Sequence, residues 1–186
     1  MKPIAYEAEL AHGAAEIRAD AADGWTLERL YQERAPHVFR ALRALGVRDA
    51  DLPDVVHDVF LTVHRRRSEV RIYASLRAWV HGICVRTAAN YRRKSRHARE
   101  TLCAEVPEPQ AVRAEAAEQL DLIKLLGMLE EDQRAVFVLY ELEELSMPEV
   151  AEALGCPATT AYSRLYAARK ALRAVFQQSL GGNHEL

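Results

Sequence analysis

Residues 147–166, MPEVAEALGCPATTAYSRLY, decide the fold. Ser146 and Glu149 spell an S-x-x-E capping box, and Pro148 sits in the first helical turn, where a missing N–H costs nothing. A helix therefore starts here. Val150 and Leu154 face inward, Ala151 is small where a crossing helix must pack closely, and Gly155 supplies the positive φ that stops the helix. Cys156 and Pro157 turn the chain. From Ala158 onward, Ala161, Leu165, Ala168 and Leu172 recur as one apolar stripe, which leaves Thr159, Ser163, Tyr166 and Lys170 outward, with Thr160, Tyr162 and Ala167 at its flanks. This is helix-turn-helix grammar. A plain helical hairpin explains the apolar spacing but not the hydroxyl-rich outer face, nor Arg169, Lys170 and Arg173 behind it. Short polar side chains let a helix enter a major groove and reach base edges, while trailing cations hold the phosphates.

Helical periodicity extends through the rest of the chain, and its eight glycines are scattered rather than set between alternating strands. The expected fold is all-α: two small helical domains joined by a flexible linker, the C-terminal one a helix-turn-helix. The first domain spans residues 25–97 and the second 116–178. Between them, residues 98–115 form the linker, in which Pro107 and Pro109 forbid a continuous helix and acids keep the chain solvated. Residues 1–24 are an N-terminal extension and 179–186 a tail. Glu7, Glu9 and Glu16 stand where a signal peptide needs an apolar run, and there is no uninterrupted run of 18 apolar residues. A cytoplasmic protein without membrane insertion is expected. Cys84, Cys103 and Cys156 are odd in number and lack any CxxC spacing, which argues for a reducing compartment and against a disulfide framework or structural zinc.

The formal net charge of −2 hides a segregation, because Arg65 to Arg99 holds eleven Lys/Arg against the single acid Glu69. The flanks, Glu100 to Asp132 and Glu141 to Glu152, are mostly acidic. One face can meet a polyanion while others meet something basic. Along Asp51 to Arg66, Leu52, Val56, Val59, Phe60 and Val63 share one side of a helix, and Asp51, Asp54 and Asp58 share the opposite one. Asp51 and Asp54 can simply complement the helix dipole, but Asp58 lies two turns in. A docking face for a basic partner fits all three.

Ser75 can cap the next helix, with Leu76, Trp79, Val80, Ile83, Cys84, Thr87 and Tyr91 on its buried side. Gly82, Arg86, Ala89 and Arg93 make a second stripe, alternating small and basic. Small residues let a backbone come close, and guanidinium forks suit a phosphate chain; Arg92, Lys94, Arg96 and Arg99 extend the positive field. The connection RRRSEVRIYASLRAW adds Arg71 and Tyr73. Trp79 belongs to the apolar arc, whereas Tyr73 lies outside it and can stack on an unpaired base.

Together the two blocks resemble a sigma-70 family sigma factor of the small extracytoplasmic-function type. The carrying stretches are DLPDVVHDVFLTVHR, SLRAWVHGICVRTAANYRRK and LEEDQRAVFVLYELEELSMPEVAEALGCPATTAYSRLYAARKAL, in that order. The resemblance implies that the first domain docks on the β′ clamp helices of core RNA polymerase through Asp51, Asp54 and Asp58. It further implies that Arg71, Tyr73, Arg86, Asn90, Arg92 and Arg93 face the minus-ten element, duplex and melted strand. The second domain is similar to the minus-thirty-five reader that sits on the β subunit, with recognition positions at Tyr162, Ser163, Tyr166 and Ala167 among Thr159, Thr160, Arg164, Arg169 and Lys170. An anti-sigma factor is an implied partner. The chain departs from the family where Tyr162 and Ala167 replace frequent basic residues, where Val85-Arg86 stands for Arg-Asn, and where Asn90 stands for Asp. Arg164, Arg169 and Lys170 must then supply most phosphate contacts.

Two rivals follow from the same residues. A dimeric helix-turn-helix regulator acting without core polymerase keeps residues 116–178 but leaves the acidic helix and basic stripe idle. An enzyme is disfavoured, since P-loop, G-x-S-x-G, H-E-x-x-H and Cys/His ligand patterns are missing. His81 and Cys84 read as a solvated imidazole and a buried thiol. No cofactor or metal is expected.

Overall fold

The computed structural model describes residues 26–72, 75–101 and 122–181, and among them every regular element is helical. Helix α1, Leu27–Ala44, starts where the Thr26 hydroxyl accepts from the Arg29 N–H at 3.2 Å, and buries Leu30, Val38, Ala41 and Leu42. Gly46, at φ +91°, turns the chain into a 3₁₀ turn, Asp49–Asp51, that leads into α2, Leu52–Arg65. The expected apolar side of α2 is buried, together with Val55, and Tyr31 of α1 packs its ring against Phe60 at 4.8 Å. Another 3₁₀ turn, Arg67–Ile72, precedes α3, Leu76–Thr101. The Ser75 hydroxyl accepts from the Ala78 N–H at 3.2 Å, as its capping position predicts. The α3 helix runs on past residue 97 into the stretch expected as linker, because RHARET contains no breaker and the prolines come only at 107 and 109.

After a helical turn at 122–127, helix α4, Glu131–Phe137, passes without interruption into a π-turn, Val138–Leu142. Helix α5, Met147–Leu154, and helix α6, Ala158–Gly181, form the helix-turn-helix. The Glu149 carboxylate accepts from the Ser146 N–H at 2.9 Å and from its hydroxyl at 2.8 Å, closing the capping box. Gly155 sits at φ +63°, and the Cys156 N–H reaches back to the Ala151 carbonyl at 3.0 Å. That is the left-handed stop a glycine permits. The N-terminal extension, Cys103 and most of the expected linker lie outside the described residues. So do residues 182–186, although α6 carries on beyond 178, into the expected tail.

The two blocks share their apolar interior. Leu126, Leu129, Ala135, Val138, Ala168 and Leu172 of the second block join the cluster built on Trp79, Leu42, Leu45, Val59 and Val63 of the first. Conversely, Ala78 of α3 belongs to the cluster of Val136, Leu139, Leu145, Met147, Val150, Ala161 and Leu165. The α3 and α5 helices are packed directly on each other. Gly82 makes this possible, because a Cβ there would come within 2.7 Å of the Ala153 carbonyl oxygen.

Candidate nucleic-acid and polymerase interfaces

The outer face of α6 is built as the apolar spacing requires. Ala161, Leu165, Ala168 and Leu172 are buried, and Thr159, Tyr162, Ser163, Tyr166, Arg169 and Lys170 are exposed, Tyr166 at 72%. Thr160, Arg164 and Ala167 are half-buried at the edges. An aromatic ring standing that far into solvent costs free energy unless something covers it. The Ser163 hydroxyl donates to the Thr159 carbonyl at 3.0 Å, so its lone pairs remain available to an incoming donor. Two of the expected phosphate-binding cations are held within their own domain. Arg164 pairs with Asp132, and Arg169 bonds Glu141 at 2.7 Å while lying 5.7 Å from the centre of the Tyr140 ring. Such exposed pairs are weak and can be exchanged for a phosphate.

On α2, Asp54 and Asp58 are exposed. Asp51 is not equivalent to them. It precedes α2, accepts from the Tyr91 hydroxyl, and is paired with Arg48 at 2.7 Å. The Tyr91 hydrogen bond and then Arg48 hold its carboxyl below the usual range despite some desolvation. This carboxylate ties the start of α2 to α3.

The basic stripe of α3 divides in the same way. Arg86, Asn90 and Arg93 are exposed, and Arg93 donates to the Asn90 side chain at 3.2 Å. Arg92 is turned inward, where it donates to the Leu45 carbonyl and pairs with Glu131 at 2.6 Å. Arg71 lies in the turn before α3, and Tyr73 lies outside the described residues. The close approach that Gly82 invites is made by the Ala153 backbone, toward whose carbonyl Arg86 reaches at 3.5 Å.

Sequence reading missed one group altogether. His81 is not solvated but 2% exposed, and its partner is Glu143, also 2% exposed, with the two side chains 3.3 Å apart. Periodicity puts His81 off the apolar arc of α3, on a side that meets Glu143 from the segment before α5. No local signal marks Glu143, which stands in the acidic run Glu141-Leu142-Glu143-Glu144 and reads there as one more solvated acid. Cys84 is buried as expected, and burial pushes its thiol up, out of reach of ordinary oxidation chemistry.

Comparison with known proteins gives this arrangement its context. The family model for sigma-70 region 2 matches residues 30–98, and the one for sigma-70 region 4 matches residues 114–172; together they span well over half of the chain. The chain is 28% identical over 154 residues to the ECF RNA polymerase sigma-E factor of Escherichia coli (strain K12), covering 75% of this chain and 81% of that protein. It is 27% identical over 172 residues to the RNA polymerase sigma factor NccH of Alcaligenes xylosoxydans xylosoxydans, covering 87% and 92%. Among solved structures, CnrH in complex with the cytosolic domain of CnrY superposes with a TM-score of 0.65 at 24% identity, over 89% of this chain and 98% of that one. The sigma factor RpoE with the anti-sigma factor NepR from Bartonella quintana gives 0.62 at 22% identity, over 79% and 96%. At these identities the two structures speak for the fold.

Proposed function

Because the chain belongs to the sigma-70 family of RNA polymerase sigma factors, in its extracytoplasmic-function group, we propose a division of its work between named surfaces. The protein is a sigma factor: it binds core RNA polymerase and directs promoter recognition, promoter melting and transcription initiation. Its task is to place the polymerase's chemistry, and the site of action is the cytoplasm. In the first domain, Asp54 and Asp58 meet the β′ clamp helices, while Arg86, Asn90 and Arg93, with Arg71 and Tyr73, face the minus-ten element. Asp51 and Arg92 support these surfaces from behind. In the second domain, which sits on the β subunit, α6 reads the minus-thirty-five element with Tyr162, Ser163 and Tyr166. Thr159, Thr160, Arg164, Arg169 and Lys170 grip the backbone around it.

The observation that carries this division is the two-sided α6, with a buried alanine–leucine stripe opposite hydroxyls and a ring open to solvent. The dimeric-regulator alternative assigns no task to the exposed carboxylates of α2. The structurally similar sigma factor RpoE is seen in complex with the anti-sigma factor NepR, and a partner of that kind is inferred for this chain.

Two weak DNA grips on one linked chain reinforce each other only when polymerase holds both in register. In a mobility-shift titration, the isolated protein should bind promoter duplex poorly and the complex with core polymerase should bind it well. Strong sequence-specific binding by the isolated chain, with no gain on adding core enzyme, contradicts the proposal. Replacing Ser163 or Tyr166 by alanine should alter preference at one or two upstream bases, with a loss of about 1–3 kcal/mol at the affected base pair. A uniform loss across all promoter sequences would assign both residues to positioning instead.

A further inference from the structure

We propose that the cleft where the two blocks meet beside α4 is a binding site for a small phosphate-bearing molecule, gripped by Arg96 of the first block and Arg134 of the second. The site does not depend on which residues face promoter DNA.

The cleft has a volume of about 530 Å³, within the range of small-molecule sites. Its walls are the chain at Gly46 after α1, the part of α3 that carries Arg92, Ser95 and Arg96, and the chain from Gly127 into α4. Gly46 lets these walls come together. At φ +91° the position suits glycine, and a Cβ there would lie 2.9 Å from Arg134 Nη1 and 3.6 Å from Arg92 Cδ. Two arginines from different blocks thus lie against one bare stretch of backbone.

Four arginines line the cleft, and the acids beside them do not serve all four. Arg48 is satisfied by Asp51 at 2.7 Å and by the Tyr91 hydroxyl at 3.0 Å. Arg92 donates to the Leu45 carbonyl and pairs with Glu131 at 2.6 Å, and the same carboxylate reaches Arg96 only at 3.9 Å. Among the described residues Arg134 has no ion-pair partner. Its Nη2 donates to the Gly127 and Leu129 carbonyls at 2.8 and 3.2 Å, and its Nε is buried without a hydrogen bond. Burial, and then the charge of Arg92, lower Arg134 from its ordinary value, outweighing the pull of Glu131. Arg43, also half-buried, has Asp49 at 2.8 Å; Arg134 lacks such a counterpart. An anion from outside supplies it, in a concave setting that focuses the positive field. The geometry favours phosphate over carboxylate, because Glu131 shows how far one carboxylate goes: its oxygens are taken by Arg92 and barely reach Arg96. A phosphate monoester brings three acceptor oxygens and up to two charges, so Arg96 and Arg134 can bind it from two walls while Glu131 stays with Arg92. Those walls belong to different blocks, and the bound phosphate ties them together.

Proton–nitrogen NMR spectra of the full chain, in phosphate-free buffer at constant ionic strength, follow each arginine Nε–H during titration with inorganic phosphate or with glycerol phosphate. The Arg96 and Arg134 signals should move along one saturable curve with a dissociation constant of about 1 mM, the strength of a few charge-assisted contacts in a partly wet cleft. The melting temperature should rise with ligand concentration. Tighter binding of glycerol phosphate identifies an ester as the ligand and tighter binding of inorganic phosphate the free ion; both uphold the site. R134Q and R96Q should each weaken binding about tenfold, the loss of one charge-assisted contact. Arg96 is 69% exposed, so R96Q keeps the test decisive if R134Q, which strips two carbonyls of their donor, folds poorly. K94Q, on α3 but outside the cleft, should bind as the wild type does. Shifts that never saturate, acetate binding as well as phosphate, or K94Q losing as much as R96Q would assign the effect to the general positive field of α3 and overturn the site.

Discussion

Trp79→Ala is expected to lower the stability of the chain by about 3–5 kcal/mol, the range found when a fully enclosed large ring is removed and its cavity only partly collapses. Trp79 is 0% exposed and, among the described residues, the largest of the fully buried side chains. It lies in the cluster that contains α1 residues Leu42 and Leu45, α2 residues Val59 and Val63, and second-block residues Val138 and Leu172. Its loss therefore reaches both domains. Denaturant titration followed by circular dichroism, at one fixed pH, measures the effect. A loss below about 1 kcal/mol would mean that the site repacks and that the shared interior is looser than these contacts indicate.

Reversing both exposed carboxylates, D54K with D58K, is expected to weaken binding to core polymerase by about 100-fold, since like charges brought together across an interface cost several kcal/mol. The promoter duplex contacts proposed for α6 belong to the other domain and should be spared. Asp51 is unsuitable for this test, because its carboxylate holds Arg48 and the Tyr91 hydroxyl inside the protein. Fluorescence anisotropy with labelled protein and purified core enzyme gives the affinity, and its salt dependence should flatten in the variant. Unchanged affinity would retire the acidic face of α2 as the docking surface.

Several parts of this molecule are legible from sequence because they depend on neighbours within one or two turns. The Ser146–Glu149 box, the Gly155 stop and the stripe of Ala161, Leu165, Ala168 and Leu172 are of this kind. So is the Ser75 cap. What periodicity does not carry is the identity of a partner far along the chain. Gly82 announces that a backbone comes close, but not that the backbone belongs to Ala153 rather than to a nucleic acid. Arg92 looks like part of the basic field of α3 and instead caps the Leu45 carbonyl and pairs with Glu131. His81 sits at a polar position of its own helix and is buried where it meets Glu143 of the second block. The π-turn after Phe137 leaves no mark in local propensity, yet it carries the chain to the point where Glu143 enters the interface.

These misplacements have one physical origin. A helix face that is polar by composition can still be covered, provided the covering element brings complementary groups, and here it brings a carboxylate to two imidazoles. Among the described residues the outer face of α6 has no such cover: Tyr166 and Tyr162 are 72% and 56% exposed. The outer face of α6 and the Arg86, Asn90 and Arg93 stripe of α3 are thus both open to solvent.

Transcription in vitro tests the central claim most directly. Purified core RNA polymerase, this protein and a library of promoter fragments should yield RNA with defined start sites from a subset of templates, and none when the protein is left out. Core enzyme that produces the same transcripts with and without the protein, on every template, contradicts the account.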